Sequence, residues 1–191
     1  TLAELSWFDK WLAAFFHSVT ARTAGFNTLN IGDFSDATLF LLILLMWIGG
    51  SPASTAGGIK TTTFGVMLAT LKAMLNQREQ VSLFRRSFSP RAVRKSLSIA
   101  FSSSALLAMF LLLLLFTEEG DFKAIVFETV SAFNTVGLST GITSELSPIG
   151  KLIIIATMFI GRIGSLTLAF SIAERVMKGK YTYPEERIII G

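Results

Sequence analysis

Long apolar stretches alternate with short polar ones along this chain, and their spacing predicts its elements. Ser96–Thr117 runs 22 residues without a charge and closes on a run of leucines. A helix needs about 20 apolar residues to cross a bilayer core, so this stretch predicts a full span. Its Ser102, Ser103, Ser104 and Ala105 are small and predict a face packed on a neighbouring helix. Pro148–Ala173 predicts a last span, with Arg162 near its centre. A charge at that depth is expensive; it either serves function or satisfies carbonyls between helices. Ala37–Ile59 also lacks charge over 23 residues. Its middle, Gly49-Gly50-Ser51-Pro52-Ala53-Ser54-Thr55-Ala56-Gly57-Gly58, is a poor helix, since Gly costs about 1 kcal/mol and Pro about 3 relative to Ala. A broken helix is predicted, Ala37–Ile48 and then Lys60–Leu75, with unwound backbone facing a cavity between the halves.

Two further runs, Asp9–Thr20 and Phe122–Phe133, are too short to span. They predict short helices, each ending at a polar glycine loop: Thr20–Thr28 and Ser131–Gly141. A helix C-terminus carries about half a negative charge, which favours a nearby cation. Loop backbone at membrane depth is tolerated only where protein buries it or where it lines a watery cavity. Asn134, Thr135, Ser139 and Thr140 offer side-chain oxygens, and Gly137 and Gly141 permit backbone conformations closed to other residues. Such a strand can point carbonyl oxygens at a dehydrated cation.

The chain carries this unit twice. Laying Arg22–Thr28 over Asn134–Thr140 aligns Thr23 with Thr135, Gly25 with Gly137 and Thr28 with Thr140, at an offset of 112. The same offset sets Met46-Trp47-Ile48-Gly49 on Met158-Phe159-Ile160-Gly161, and Asp33 on Glu145. Phe16–Ala21 matches Phe127–Ala132 after a slip of one residue. Repeats around a membrane-depth loop are how pores and transporters build a central pathway.

Composition narrows the class. Charged residues are 16% of the chain and hydrophobic ones 51%, against about 25% charge in a soluble domain. The absence of Cys excludes disulfides and thiolate metal sites, and one His leaves little for a metalloenzyme, so no enzyme is expected. The net charge of +4 does not indicate nucleic acid, because the basic residues gather at helix ends. Residues 72–95 hold seven Lys or Arg against one acid, Glu79, which predicts a cytoplasmic connector. Glu174, Arg175, Lys178 and Lys180 mark a second cytoplasmic exit before the tail Tyr181–Gly191. Both glycine loops then open outward. There Asp33, Asp36, Glu118, Glu119, Asp121 and Glu145 would raise the local cation concentration. Gly57-Gly58-Ile59-Lys60-Thr61 is no phosphate-binding loop, since Ile59 separates Gly from Lys and no strand precedes it. Arg22 is expected to bond pore-helix carbonyls from behind, and His17 to pack within its helix. The chain lacks an initial Met and starts partway into a repeat unit, so a fragment of a longer protein is expected.

The motifs T-A-R-T-A-G-F-N-T, G-G-S-P-A-S-T-A-G-G-I-K-T and F-N-T-V-G-L-S-T-G resemble the Trk/Ktr/HKT superfamily of potassium transporters, most closely the bacterial Trk/Ktr membrane subunit. The resemblance covers nearly the whole chain. It implies an all-α membrane protein with channel-like units of outer helix, pore helix, filter loop and inner helix. Residues 1–75 would be a partial third unit, 76–95 the connector, and 96–191 the complete fourth unit with its tail. It implies a filter at Thr23, Ala24, Gly25 and Phe26 and at Asn134, Thr135, Val136, Gly137 and Leu138. K⁺ would sit at Thr23, Ala24, Gly25, Thr135, Val136 and Gly137. It makes Gly49–Gly58 a gating loop and places Arg162 near the pore. The cargo it implies is K⁺, with Na⁺ as a second candidate ion and no organic cofactor. Its implied setting is a bacterial inner membrane, among lipid. Its implied partners are a second copy, a cytoplasmic nucleotide-binding regulatory ring and the missing N-terminal half of the same protein. The residues alone also admit a sodium-coupled secondary transporter of a small organic solute, or a scaffold without transport that leaves the duplicated loops unexplained.

Overall fold

The computed structural model describes residues 5–54, 56–78 and 80–163. Thr55, Glu79, the end of the expected last span and its exit residues Glu174, Arg175, Lys178 and Lys180 lie outside the described residues. The elements in order are α1 (Trp7–Thr20), α2 (Asp36–Trp47), α3 (Thr61–Leu75), a hairpin of β1 (Ser82–Leu83) and β2 (Arg86–Ser87), α4 (Pro90–Thr117), α5 (Phe122–Phe133) and α6 (Pro148–Ile163). The helices start where side chains can cap them. Ser6, Ser35 and Ser89 accept from the backbone N–H three residues on, satisfying a donor that the first turn leaves open.

The serine cap also explains where α4 departs from expectation. It begins at Pro90, not Ser96, because Ser89 caps it and Pro90 suits a first turn. Its 28 residues extend about 42 Å, longer than a bilayer core of about 30 Å, so its basic first turns project beyond. Among the described residues it is the one helix long and apolar enough to cross a membrane. The connector is therefore not plain loop, and the small hairpin departs from an all-α chain. On the serine-rich face, Ser103 is buried while Ala105 points outward.

The element order repeats. A short helix, a glycine loop, a single 3-10 turn and an apolar helix occur as α1, Ile31–Asp33 and α2, then as α5, Ile142–Ser144 and α6. One core joins the copies: Ala21, Ile31, Leu39, Leu42 and Met46 of the first meet Phe127, Val130, Val136 and Leu138 of the second. A second cluster closes α4 over the second copy through Leu114, Ile125, Ala132, Leu146 and Ile154. Large apolar side chains remain exposed on the outer faces, among them Trp7, Trp11 and Phe15 of α1 and Leu152, Ile155 and Phe159 of α6. Such a contiguous apolar exterior suits lipid or further protein, not water.

The acidic groups are partly engaged. Asp36 pairs with Lys123 at 2.8 Å, which ties α2 to α5. Glu118, just past α4, accepts from the Ser147 N–H at 3.0 Å and from its hydroxyl, fixing the start of α6. The Ser147 hydroxyl, then its N–H, hold the Glu118 carboxyl below the usual carboxylate range. A lowered folded-state value means that this contribution to stability is complete above the ordinary carboxylate pKa. It is lost as pH falls through the lowered value. Detergent melting of the wild type should therefore lose temperature on acidification through that window. Glu118→Gln should melt lower at neutral pH and show a flatter acid limb. A variant melting as the wild type does at every pH would remove Glu118 from this role.

Candidate functional site

Each short helix ends in a loop with the same backbone signature. Thr23 and Gly25 have φ of +71° and +76°, and Thr135 and Gly137 have +53° and +90°. Ala24 and Val136, between them, stay out of the left-handed region. Left-handed φ is strained for a β-branched residue, so its recurrence at Thr23 and Thr135, 112 positions apart, marks a constrained backbone. The two loops meet. A Cβ on Gly25 would stand 2.8 Å from the Val136 carbonyl oxygen, and one on Gly137 would stand 3.2 Å from Gly25 Cα. Each glycine lets the opposite loop close in.

Different groups brace the two loops. Thr20 Oγ1 donates to the Phe26 carbonyl at 2.7 Å and accepts from the Phe26 N–H at 3.1 Å. Behind the second loop, buried Glu128 accepts from the Ser139 hydroxyl and, at 3.2 Å, from the Thr140 N–H. Neither Thr20 nor Glu128 was identified from sequence. The available signal was positional: Glu128 is the repeat partner of His17. His17 is packed, as expected, with its ring nitrogen Nδ1 on the Ala13 carbonyl and its ring between Phe16 and Phe34. Asn134, Val136 and Leu138 are buried, whereas Ala24 and Phe26 of the first loop are exposed.

The break in the third hydrophobic stretch is present: α2 stops at Trp47 and α3 starts at Thr61. A helix end leaves its last carbonyls without partners inside the helix. Arg22 supplies them, donating to Leu45 O at 3.2 Å, to Ile48 O, and to Gly49 O at 3.4 Å. The expectation for Arg22 is corrected here, for its partners belong to the severed end of α2 and not to a pore helix. At the repeat position of Arg22 stands Asn134, and at that of Gly49 stands Gly161, which lies inside α6, helical through Ile163. Where the helix continues, the arginine is not needed.

The loop between the halves is closed on itself and tied to the second glycine loop. Gly49 N–H donates to Ile59 O at 2.8 Å and Thr61 N–H to Gly50 O at 3.2 Å, beside a parallel bridge of Ile48 and Ile59. Gly57 N–H is shared between Asn134 O at 3.1 Å and Thr135 Oγ1 at 3.0 Å. The Lys60 ammonium donates back to Ser54 O at 3.3 Å and to Ala56 O. Lys60 is a loop-holding residue that sequence reasoning used only as a helix start. Arg162, next to last in α6 as described, lines a cavity of about 330 Å³ with Ala53, Ser54, Ala56, Gly57, Gly58 and Lys60. So the structure brings together both glycine loops, the break and Arg162.

A family model described as TrkH, a cation transport protein, matches residues 2–181. The Ktr system potassium uptake protein B of Vibrio alginolyticus is 44% identical over 191 residues, 100% of this chain and 42% of that protein. Its namesake in Bacillus subtilis (strain 168) is also 44% identical over 191 residues, 100% of this chain and 43% of that protein. The crystal structure of the potassium transporter TrkH from Vibrio parahaemolyticus matches with a TM-score of 0.77 at 23% identity, over 89% of this chain and 38% of that one, a likeness of fold. The chain spans less than half the length of these relatives. With a family match across nearly all its residues and the same helical fold, this chain belongs to the TrkH family of cation transport proteins.

Proposed function

We propose that this chain forms part of a potassium uptake pathway, with its two glycine loops as parts of one selectivity filter and Gly49–Gly58 as an intramembrane gate. The carrying observation is the positive φ of Thr23 and Gly25 on either side of Ala24, repeated at Thr135 and Gly137 on either side of Val136. An alternating sign of φ turns successive peptide planes so that carbonyls can gather on one side, where they would replace the hydration shell of a cation. The potassium uptake named in the relatives supports the same ion. On this reading residues 1–75 and 96–191 are two of the units that enclose the pore, and residues 76–95 join them. The full pore needs further protein around the exposed apolar faces of α1 and α6. A second copy and a cytoplasmic nucleotide-binding ring are the assembly we infer. The loops open to the outside, and the connector and C-terminus lie in the cytoplasm.

The test is flux of K⁺, Rb⁺ and Na⁺ into vesicles carrying the full-length protein. K⁺ and Rb⁺ should enter and Na⁺ should be excluded, or act only as an activating ion. Equal Na⁺ entry would overturn the filter. Uptake of an organic solute driven by Na⁺ would replace it with a coupled transporter.

The gate carries its own expected result. Shortening Gly49–Gly58, or replacing Arg162 by Ala, should raise K⁺ flux per folded molecule severalfold, because the loop loses bulk or loses a neighbour that lines its cavity. Detergent melting separates the outcomes. Unchanged flux with a large fall in melting temperature would make Arg162 a packing residue.

A further inference from the structure

We propose that the cavity at the foot of the β1–β2 hairpin binds the headgroup of an anionic phospholipid, with Phe84 inserted beside its acyl chains. The inference rests on reading the chain as membrane-spanning. The hairpin itself is the first observation. Leu83 pairs with Arg86, so Phe84 and Arg85 form a two-residue turn, with φ of +48° and +63°. Turns of this kind favour Asn-Gly or Gly, because a Cβ is disfavoured at positive φ. Two large side chains are held there instead, and Phe84 is 90% exposed. An aromatic ring held out from a strained turn needs an apolar medium around it.

The second observation is the cavity. It measures about 210 Å³ and lies between the last turns of α3 and the hairpin. Lys72 and Arg78 bring two cations to it, and Asn76 and Ser82 bring neutral donors. Ala69 and Ala73 line it too. Phosphate oxygens are complementary to that set.

The third observation separates a lipid from a free phosphate. Leu68, Leu71 and Leu75 recur on α3 at helical spacing and are all more than half exposed. Lys72 stands one turn beyond Leu68, so an apolar stripe runs down α3 and ends at the cationic cavity. A molecule with a chain above and a phosphate below matches both parts. Basic residues beside an anionic leaflet add attraction, and residues 72–95 carry seven of them in all.

The test uses the full-length protein in detergent, with retained phosphatidylglycerol counted by native mass spectrometry against phosphatidylcholine in excess. Wild type should retain phosphatidylglycerol. Each cation removed should weaken binding about fivefold, so Lys72→Gln with Arg78→Gln should weaken it about twenty-five-fold. Phe84→Ser should also weaken it while leaving every charge in place, and Lys72→Arg should keep it. K⁺ flux into phosphatidylcholine vesicles checks folding. Wild-type flux there means that a lost lipid reflects the cavity and that the transport reading stands. Three results would overturn the proposal: undiminished phosphatidylglycerol on the double variant, displacement of the lipid by inorganic phosphate at equal concentration, or variants that keep the lipid but lose a cytoplasmic protein partner.

Discussion

Replacing Gly25 by serine is expected to abolish the preference for K⁺ over Na⁺ while leaving membrane insertion intact. Two effects act together. At φ of +76° a side chain costs about 1–2 kcal/mol. Its Cβ would also stand 2.8 Å from Val136 O, a backbone atom of the opposite loop that cannot rotate away. One of the two loops must shift, and the carbonyls that line the path shift with it. About 1.4 kcal/mol of lost discrimination is tenfold in selectivity, so a loss of tenfold or more is expected. Gly137→Ser should act in the same direction with a smaller effect. Its Cβ would meet Gly25 Cα at 3.2 Å, a contact that a few tenths of an ångström relieves. The ratio of K⁺ to Na⁺ flux in vesicles is the measurement. If both variants keep the wild-type ratio, these glycines do not form the filter.

Gly161→Ala should be strongly destabilising. Here α6 crosses the end of α5 so closely that a Cβ would fall 1.8 Å from Phe133 O. No rotamer escapes a backbone oxygen, so α6 must move off α5. Overpacking of this kind costs about 3 kcal/mol or more. The neighbouring Gly57 would feel the shift, since a Cβ there would already meet Phe133 O at 2.8 Å and Gly161 O at 3.1 Å. Gly65→Ala is the control. It sits inside α3 with nothing within 4 Å of its would-be Cβ, so the better helix former should stabilise by about 0.5–1 kcal/mol. Parallel melting curves decide. A Gly161→Ala variant that melts no lower than Gly65→Ala would show that the crossing is looser than described.

Periodicity and composition were enough for the helices. Phe122–Phe133 is bounded as expected, and the break between Trp47 and Thr61 follows from Gly and Pro alone. The repeat at an offset of 112 paired Thr23 with Thr135, but the positive φ that they share was not legible in it. What escaped was of two kinds. Helix starts moved by a cap: Ser6 and Ser89 pull α1 and α4 earlier than a tally of charges suggests. Long-range polar contacts were not legible at all. Arg22 reaches 23 to 27 residues along the chain, and Gly57 reaches 78 to Thr135. Such partners depend on where helices cross, and local pattern carries no record of that. The hairpin escaped because Phe84-Arg85 violates the turn chemistry by which hairpins are found.

The clasp at Gly49, Gly50, Ile59 and Thr61 has a kinetic consequence. Because the neck of the loop is stapled, a displacement of the chain beyond it would not require either half-helix to travel. Among the described residues the loop is held by the forked bond from Gly57, by the two from Lys60 and by the burial of Ala56 and Gly57. A hydrogen bond contributes about 0.5–1.5 kcal/mol net. If the loop is the proposed gate, a coupling of about 1–3 kcal/mol, the usual size of an allosteric effect, would have to reach it through this neck or through Gly57 and Lys60.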